Sequence, residues 1–298
     1  MTDLDAWCAR WLGSPVAQTS NIAEHLSSVH AVRLADGRRV VVKIRPAEAR
    51  LAGCFAVHKH LWRAGFPCPE PLTGPHPFTP GRVASAETAI TPAAAAPLPP
   101  AAAFATLLHE LVRLAPPVAA VPSLRPSPAW ARWHHDEGRV WPPPDDRDAD
   151  LNEHPDPSWL DEVGTRVRRR LTAVVAALHP IVGHCDFESH NIWWHGSAPL
   201  AVHDWDSAVA EPEPVVVGLA AAMWPAGATA HAATVQQTAD FLDAYQAAGG
   251  RRWSADELAA AWAAGLWIRA FNAKKASLDG LDRLDRDEAE ERGRRAGI

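Results

Sequence analysis

The chain has 298 residues, a formal net charge of −6 at neutral pH and 47% hydrophobic residues. This length is enough for two lobes that each bury a core, and the excess of acid argues against a nucleic-acid partner. No run reaches about 18 uninterrupted apolar residues and the start lacks a basic region, so we expect no membrane partner and a cytoplasmic location. The four cysteines form no CxxC pair, so the sequence suggests neither a zinc knuckle nor a disulfide framework.

The first third of the chain predicts a small β-rich lobe. Residues 29–45 are typical of a hairpin that turns at Asp36-Gly37, residues 47–64 have helical spacing, and residues 82–91 are typical of a strand. The Pro/Ala run 92–100 breaks this pattern. We therefore expect an N-terminal lobe over 1–91, a hinge near 88–100 and a C-terminal lobe over 92–298.

The rest of the chain predicts a mostly helical lobe. Helical spacing covers 101–114, 159–179, 214–248 and 254–276, and Ser254 and Glu257 stand in a capping-box relation at the start of the last segment. Residues 116–158, rich in Pro, Trp and charge, are interpreted as an irregular insertion rather than a packed element. The charged tail after Asp279 is interpreted as a solvated helix face.

The most informative stretch is 181–208. It places His184, Asp186 and Asn191 at fixed offsets, with Asp204 thirteen residues after Asn191. A hydroxyl acceptor needs a carboxylate to orient it and take its proton, and Mg²⁺ on a nucleotide needs an amide oxygen and a second carboxylate. This spacing is that of a kinase catalytic loop and its metal-binding aspartate. Asp206 is either a second metal contact or a surface carboxylate.

On these residues the chain resembles the aminoglycoside phosphotransferases and their relatives. GHCDFESHN and VHDWDSA stand where that family has its HGDxxxxN loop and Asp-Trp strand, ATLLHEL matches its helix before the insertion, and VVVK matches its strand lysine. The resemblance implies an α+β, two-lobed, protein-kinase-like fold. It also implies an ATP- or GTP-dependent small-molecule O-phosphotransferase that uses Mg²⁺.

The resemblance also implies roles for single residues. Asp186 would be catalytic and His184 would support the loop. The metal ligands would be Asn191 and Asp204, and the nucleotide phosphates would be contacted by Lys43 and by the backbone at Ser27 and Ser28. Cys185 would be a small buried filler.

One family feature is missing from the sequence. The helix after Lys43 should carry a glutamate partner near residues 53–56, yet those are Gly, Cys, Phe and Ala, and Glu48 comes too early. A nucleotide-binding but catalytically weak pseudokinase is therefore an alternative hypothesis. A Trp-rich carbohydrate- or peptide-binding module is another.

The acceptor is predicted to be a small polyhydroxylated molecule with a positive charge. Glu188 in the loop, Glu211 after the metal strand and Trp133 in the insertion would bind it, because clustered carboxylates and indole faces attract ammonium groups. The sequence leaves open the identity of the acceptor, ATP or GTP, and the oligomeric state.

Overall fold

The computed structural model describes residues 2–24, 27–92, 97–135, 138–144, 146–227 and 230–298. The middle of the predicted hinge, 93–96, lies outside these residues, as do Asp136, Glu137 and Asp145 of the insertion. None of the described helices is both long and apolar enough to cross a membrane.

The N-terminal part is one helix packed on a five-stranded antiparallel sheet with the order β1-β2-β3-β5-β4. The bounds are α1 Asp3–Leu12, β1 Val16–Glu24, β2 Ser28–Leu34, β3 Arg39–Pro46, β4 Pro71–Thr79 and β5 Arg82–Thr88. The hairpin at Asp36-Gly37 is confirmed, with Gly37 at φ +90°, a conformation that glycine adopts without strain. The sequence did not predict α1, β1 or β4.

Side chains alternate between the two faces of the sheet along β3, so the strand presents apolar residues to one face and basic residues to the other. Val40, Val42 and Ile44 are buried with α1 in a core of their own, which places Lys43 and Arg45 on the opposite face. Helix α2, Arg50–Arg63, leads from β3 to β4 and packs against β4 and against the segment that follows Val202. The two basic side chains of β3 are thus directed at the junction with the rest of the molecule.

The C-terminal part is helical around two short strand pairs, β6 with β9 and β7 with β8. Its helices are α3 Ala101–Leu114, α4 Ser158–Val175, α5 Glu213–Met223, α6 Val235–Gly249, α7 Ala255–Ser277 and α8 Arg286–Ala296. Its strands are β6 Pro180–His184, β7 Ile192–His195, β8 Ala198–Val202 and β9 Ala208–Pro212. The capping box of Ser254 and Glu257 is present at the start of α7, as predicted.

One prediction about this part was right only in part, and two were wrong. The segment 214–248 is helical, as α5 and α6, but α5 is not amphipathic: it is buried on nearly all sides because it lies under α7. The insertion is packed: Trp141 is 1% exposed, stacks on Trp267 and donates its Nε1–H to Asp161. The tail is not a solvated face throughout, since Arg292 of α8 is fully buried and pairs with Glu288.

Candidate active site

Two strands of the helical part hold the loop that carries the predicted catalytic residue. Strand β6 ends at His184, which is fully buried; its Nε2 lies 3.1 Å from the carbonyl oxygen of His203, and its Nδ1 accepts the backbone N–H of Asp186. Burial lowers the pKa of His184, so the ring is neutral and serves as a structural support. These contacts fit the supporting role that the family resemblance implies for His184.

Asp186 and Asn191 meet across this loop. The Nδ2 of Asn191 donates to the Asp186 carboxylate at 2.7 Å and to the Asp186 carbonyl at 3.0 Å. Because the amide nitrogen is used in this way, Oδ1 is the Asn191 atom left to accept a cation. The Asn191 carbonyl in turn accepts the N–H of His203, which fixes the loop to the residue before Asp204.

Asp204 sits in a strained backbone conformation. Its φ of 62° and ψ of 51° make it the only non-glycine residue with positive φ in the described part of the chain. This conformation is strained for residues other than glycine, and strained residues of this kind are concentrated at functional sites. Burial and the neighbouring Asp206 raise the pKa of Asp204 to about 7, although Lys43 opposes this. A divalent cation would relieve the repulsion between these two carboxylates.

The lysine has the partner that the sequence seemed to lack. The Nζ of Lys43 lies 3.8 Å from the Glu87 carboxylate and 3.5 Å from the Asp204 carboxylate. Although burial alone would lower it, these carboxylates raise the pKa of Lys43 and keep it charged. Glu87 comes from β5, where its backbone pairs with Val41, so its side chain shares a sheet face with Lys43 two residues along.

Glu87 is a functional residue that the sequence reasoning missed. It is 7% exposed and also lies 3.6 Å from His203. Although burial alone would raise it, Lys43 and His203 lower the pKa of Glu87 to about 2. The signal was available: an acid inside the predicted strand 82–91, at even spacing from residues that would face Lys43 in an antiparallel pair.

Asp206 is half-buried and ion-paired, so it is not a free surface carboxylate; a metal contact stays a prediction. Arg45 holds its carboxylate at 2.5 Å, and although burial alone would raise it, Arg45 and Lys43 lower the pKa of Asp206. Helix α2 is hydrogen-bonded to the same segment: the Arg50 guanidinium donates to the Asp206 and Ala208 carbonyls, the latter at 2.6 Å. Arg50 therefore docks the start of this helix, three residues before the stretch 53–56 where the family resemblance predicted a glutamate.

Glu188 lies next to the predicted catalytic residue. Oxygen or nitrogen atoms of Asp186, Glu188 and His190 all lie within 4.8 Å of one another, and His190 is 3.5 Å from Glu188. Burial and the Asp186 carboxylate raise the pKa of Glu188 well above its usual value. The pair of acids therefore carries a repulsion that a positively charged group would relieve.

Two predicted acceptor residues are placed elsewhere. Glu211 is 5% exposed and accepts the Ser127 hydroxyl at 2.5 Å, so it is covered by the insertion. Trp133 is 6% exposed and packs in the main core, so little of its ring is open to a ligand. Both expectations were wrong because the insertion folds onto the helical core. Ser28 begins β2, facing Arg82 at 3.4 Å, and Ser27 directly precedes it, at the turn between β1 and β2.

The donor set fits a hard divalent cation. The carboxylate of Asp204 and the amide oxygen of Asn191 are ligands of the kind that Mg²⁺ prefers, whereas softer metals favour thiolates, and burial raises the pKa of all four cysteines. The described cysteines are all buried, and burial and Asp186 raise the pKa of Cys185. Cys185 thus matches its predicted role as a filler.

Comparison with known proteins agrees with this geometry. A family model described as a phosphotransferase enzyme family matches residues 20–262. No curated protein matches the chain.

Solved structures show the same fold at low identity. An amicoumacin kinase bound to AMP-PNP, Ca²⁺ and its antibiotic matches with a TM-score of 0.60 at 12% identity, covering 94% of this chain and 87% of the other. A thermostable aminoglycoside phosphotransferase mutant with ADP and hygromycin B matches with 0.57 at 14%, covering 99% and 97%. A macrolide 2'-phosphotransferase from Brachybacterium faecium matches with 0.52 at 16%, covering 99% and 97%.

Proposed function

We propose that this chain, which belongs to the phosphotransferase enzyme family, transfers the γ-phosphoryl group of ATP or GTP to a hydroxyl of a small molecule in the cytoplasm. The observation that carries the proposal is that the paired loop residues Asp186 and Asn191 are tied to the segment of Asp204, which contacts Lys43, because the Asn191 carbonyl accepts the N–H of the residue before Asp204. These groups come from both parts of the molecule and surround one junction.

Each residue has a distinct task in the proposed reaction. Asp186 orients the acceptor hydroxyl and takes its proton as the oxygen attacks phosphorus. Lys43, held by Glu87, contacts the phosphates, and the turn at Ser27 and Ser28 covers them. Asn191 and Asp204 hold Mg²⁺, which neutralises phosphate charge when bound. Catalysis then rests on positioning and charge.

The pseudokinase alternative loses its main support. It was motivated by a lysine without a carboxylate partner, and Glu87 supplies that partner from the sheet. The Trp-rich binding module is also disfavoured, because Trp133 and Trp141 are buried in the core.

We propose an acceptor with an ammonium group close to the reacting hydroxyl. The support is the Asp186–Glu188 pair, whose mutual repulsion such a group would relieve. Solved structures of similar fold hold hygromycin B and spectinomycin. Raised salt should increase the Michaelis constant by screening this attraction, and a best acceptor that is neutral, with salt-independent kinetics, would contradict the charge assignment while leaving phosphoryl transfer intact.

The decisive experiment separates the base from the metal ligand. Hydroxylated amines are screened with Mg-nucleotide by mass spectrometry, and the best acceptor is used to compare Asp186→Asn, Asp204→Asn and the exposed control Asp243→Asn. Asp186→Asn should lose about 10²- to 10⁴-fold in rate while Mg-nucleotide still raises its melting temperature. Asp204→Asn should lose that Mg-dependent stabilisation. If Asp186→Asn kept more than about a tenth of the activity, another group would be the base.

A further inference from the structure

A second cavity opens beside the proposed active site, between the start of α2 and the insertion. Its volume is about 430 Å³, within the range of small-molecule sites. We call it the arginine pocket; it is lined by Arg45, Pro46, Glu48, Arg50, Leu51, Pro126, Ser127, Pro128, Trp130, Arg132, Pro143, Pro144 and Asp206. Proposed catalytic residues such as Asp186 and Lys43 are not among these.

Three guanidinium groups line this pocket, and they are not equally compensated. Arg45 is paired with Asp206, and Arg50 donates to two backbone carbonyls. Arg132 has neither an ion pair nor a hydrogen bond among the described residues. Among the described residues, therefore, Arg45 is the one arginine of the three that is paired with a carboxylate. Among the described residues of the lining, Glu48 is the other acid, so three guanidinium groups stand against two carboxylates.

Uncompensated guanidinium groups in a concave site are costly unless an anion accepts from them. The Nε of Arg45, Arg50 and Arg132 is buried without a hydrogen-bond partner among the described residues. Donors left in this state cost free energy, and the half-buried Arg132 keeps its outer N–H groups available to a ligand. Guanidinium groups match the planar or tetrahedral oxygens of carboxylate and phosphate.

The remaining wall is apolar and firmly placed. Five prolines and Leu51 lack charge, and the Trp130 carbonyl accepts the indole N–H of Trp267 at 2.8 Å, which holds the Trp130 backbone on the core. A stiff wall of this kind binds a ring or a short hydrocarbon body with little loss of side-chain entropy.

We propose that the arginine pocket is a binding site for a small molecule that carries an oxyanion, either carboxylate or phosphate, on a flat apolar body. Arg132 is the principal contact to the anion, and Arg45 and Arg50 supply a fixed positive field behind it. The site is independent of the proposed phosphotransferase function, because it needs neither nucleotide nor acceptor.

The test uses three probes with the same ring. Phenyl phosphate, benzoate and neutral benzamide are titrated into the full chain without nucleotide, by calorimetry and by thermal shift. Either or both anions should bind, and benzamide should bind at least tenfold more weakly. The stronger of the two anions identifies the source of the oxyanion. Comparable binding of benzamide, or no binding of either anion, would overturn the proposal.

Variants place the binding in the pocket. Arg132→Gln should raise the dissociation constant of the better anion at least tenfold, whereas Arg113→Gln, which removes the same charge from the exposed side of α3, should leave it unchanged. A melting temperature and circular dichroism spectrum like those of wild type show that Arg132→Gln is folded. Equal affinity of the two variants would place the anion elsewhere and refute the assignment.

Discussion

The pairing of Lys43 with Glu87 shows how one residue can replace another from a different element. In protein kinases the lysine is held by a glutamate of the following helix. Here the acid lies on β5, next to β3, and reaches Lys43 across the sheet at 3.8 Å. The helix instead carries Arg50 at its start and Cys54 in the expected stretch, and both contact the Asp206 carbonyl.

Glu87→Gln should reduce stability in a pH-dependent way. The folded pKa of Glu87, about 2, is below its ordinary 4.5, so its contribution is complete above about pH 4.5 and is lost as pH falls through 2. The full shift corresponds to about 3 kcal/mol. Urea unfolding at pH 7 should show the wild type more stable than Glu87→Gln by roughly this amount, with the gap closing near pH 2.

The exposed acid Glu153 provides the comparison for Glu87. Glu153→Gln should unfold like wild type at both ends of the pH range. A constant gap between Glu87→Gln and wild type from pH 7 to 2 would mean that the lost stability comes from packing rather than from the charge.

At the scale of elements, the crossing of α5 and α7 depends on two glycines. A Cβ on Gly218 would lie 2.1 Å from the Ala261 carbonyl oxygen, and one on Gly265 would lie 3.1 Å from the Gly218 carbonyl oxygen. The helices can approach this closely only without those methyl groups. The β6–β9 pair lies directly against α5, so this crossing supports the strand that leads to Asp186.

Gly218→Ala should therefore destabilise the protein by about 3 kcal/mol or more, because backbone must move to admit the methyl group. Gly293→Ala in α8 is the matched control: its nearest neighbour would be 3.9 Å from the new Cβ, and alanine favours the helix by about 1 kcal/mol. Denaturant melts of both variants test this. Equal stability of the two would show that α5 and α7 can separate without cost.

The elements that the sequence predicted are those with local signals. The Asp36-Gly37 turn, the helix 101–114 and the capping box at Ser254 each depend on neighbouring residues, and each is present. Strand β4, PLTGPHPFT, was missed because its prolines argue against a strand, and an edge position in the sheet is what permits them. The spacing of Asp186 and Asn191 was enough to predict their loop. Contacts between residues far apart in the sequence, such as Lys43 with Glu87 or Ser127 with Glu211, leave no local pattern from which they could be predicted.

At the scale of the whole molecule, His58 joins the two parts. It is buried in α2, its Nε2 lies 2.8 Å from the Pro69 carbonyl oxygen, and its ring stacks on Trp205 at 5.1 Å. Burial is the main cause that lowers the pKa of His58 to about 4, with Lys43 and His203 adding to it against Glu87. The ring is neutral at the junction and takes up a proton only at a cost.

Acidification should lower the free energy of unfolding through protonation of His58. The unfolded chain binds a proton at His58 near pH 6.5 and the folded chain only near pH 4, so stability is complete above 6.5 and falls as pH drops towards 4. Between pH 7.5 and 5 the loss should be about 2 kcal/mol in urea unfolding, and smaller in His58→Gln, which keeps a donor for Pro69 but cannot titrate. The exposed His195→Gln should retain the wild-type loss. An unchanged slope in His58→Gln would assign the effect to other groups.

The docking of α2 by Arg50 has a consequence for how such an enzyme can be controlled. In protein kinases an outward swing of the helix after the lysine strand breaks the lysine pair and switches activity off. In this chain both members of that pair belong to the sheet, so the same swing would leave Lys43 and Glu87 together. It would instead release the carbonyls of Asp206 and Ala208 and with them the segment that holds Asp204 in its left-handed conformation. Displacement of α2 would thus move Asp204, the proposed metal ligand, and leave the Lys43–Glu87 pair intact, so a compound bound beneath this helix is expected to weaken metal binding before it weakens contact with the nucleotide phosphates.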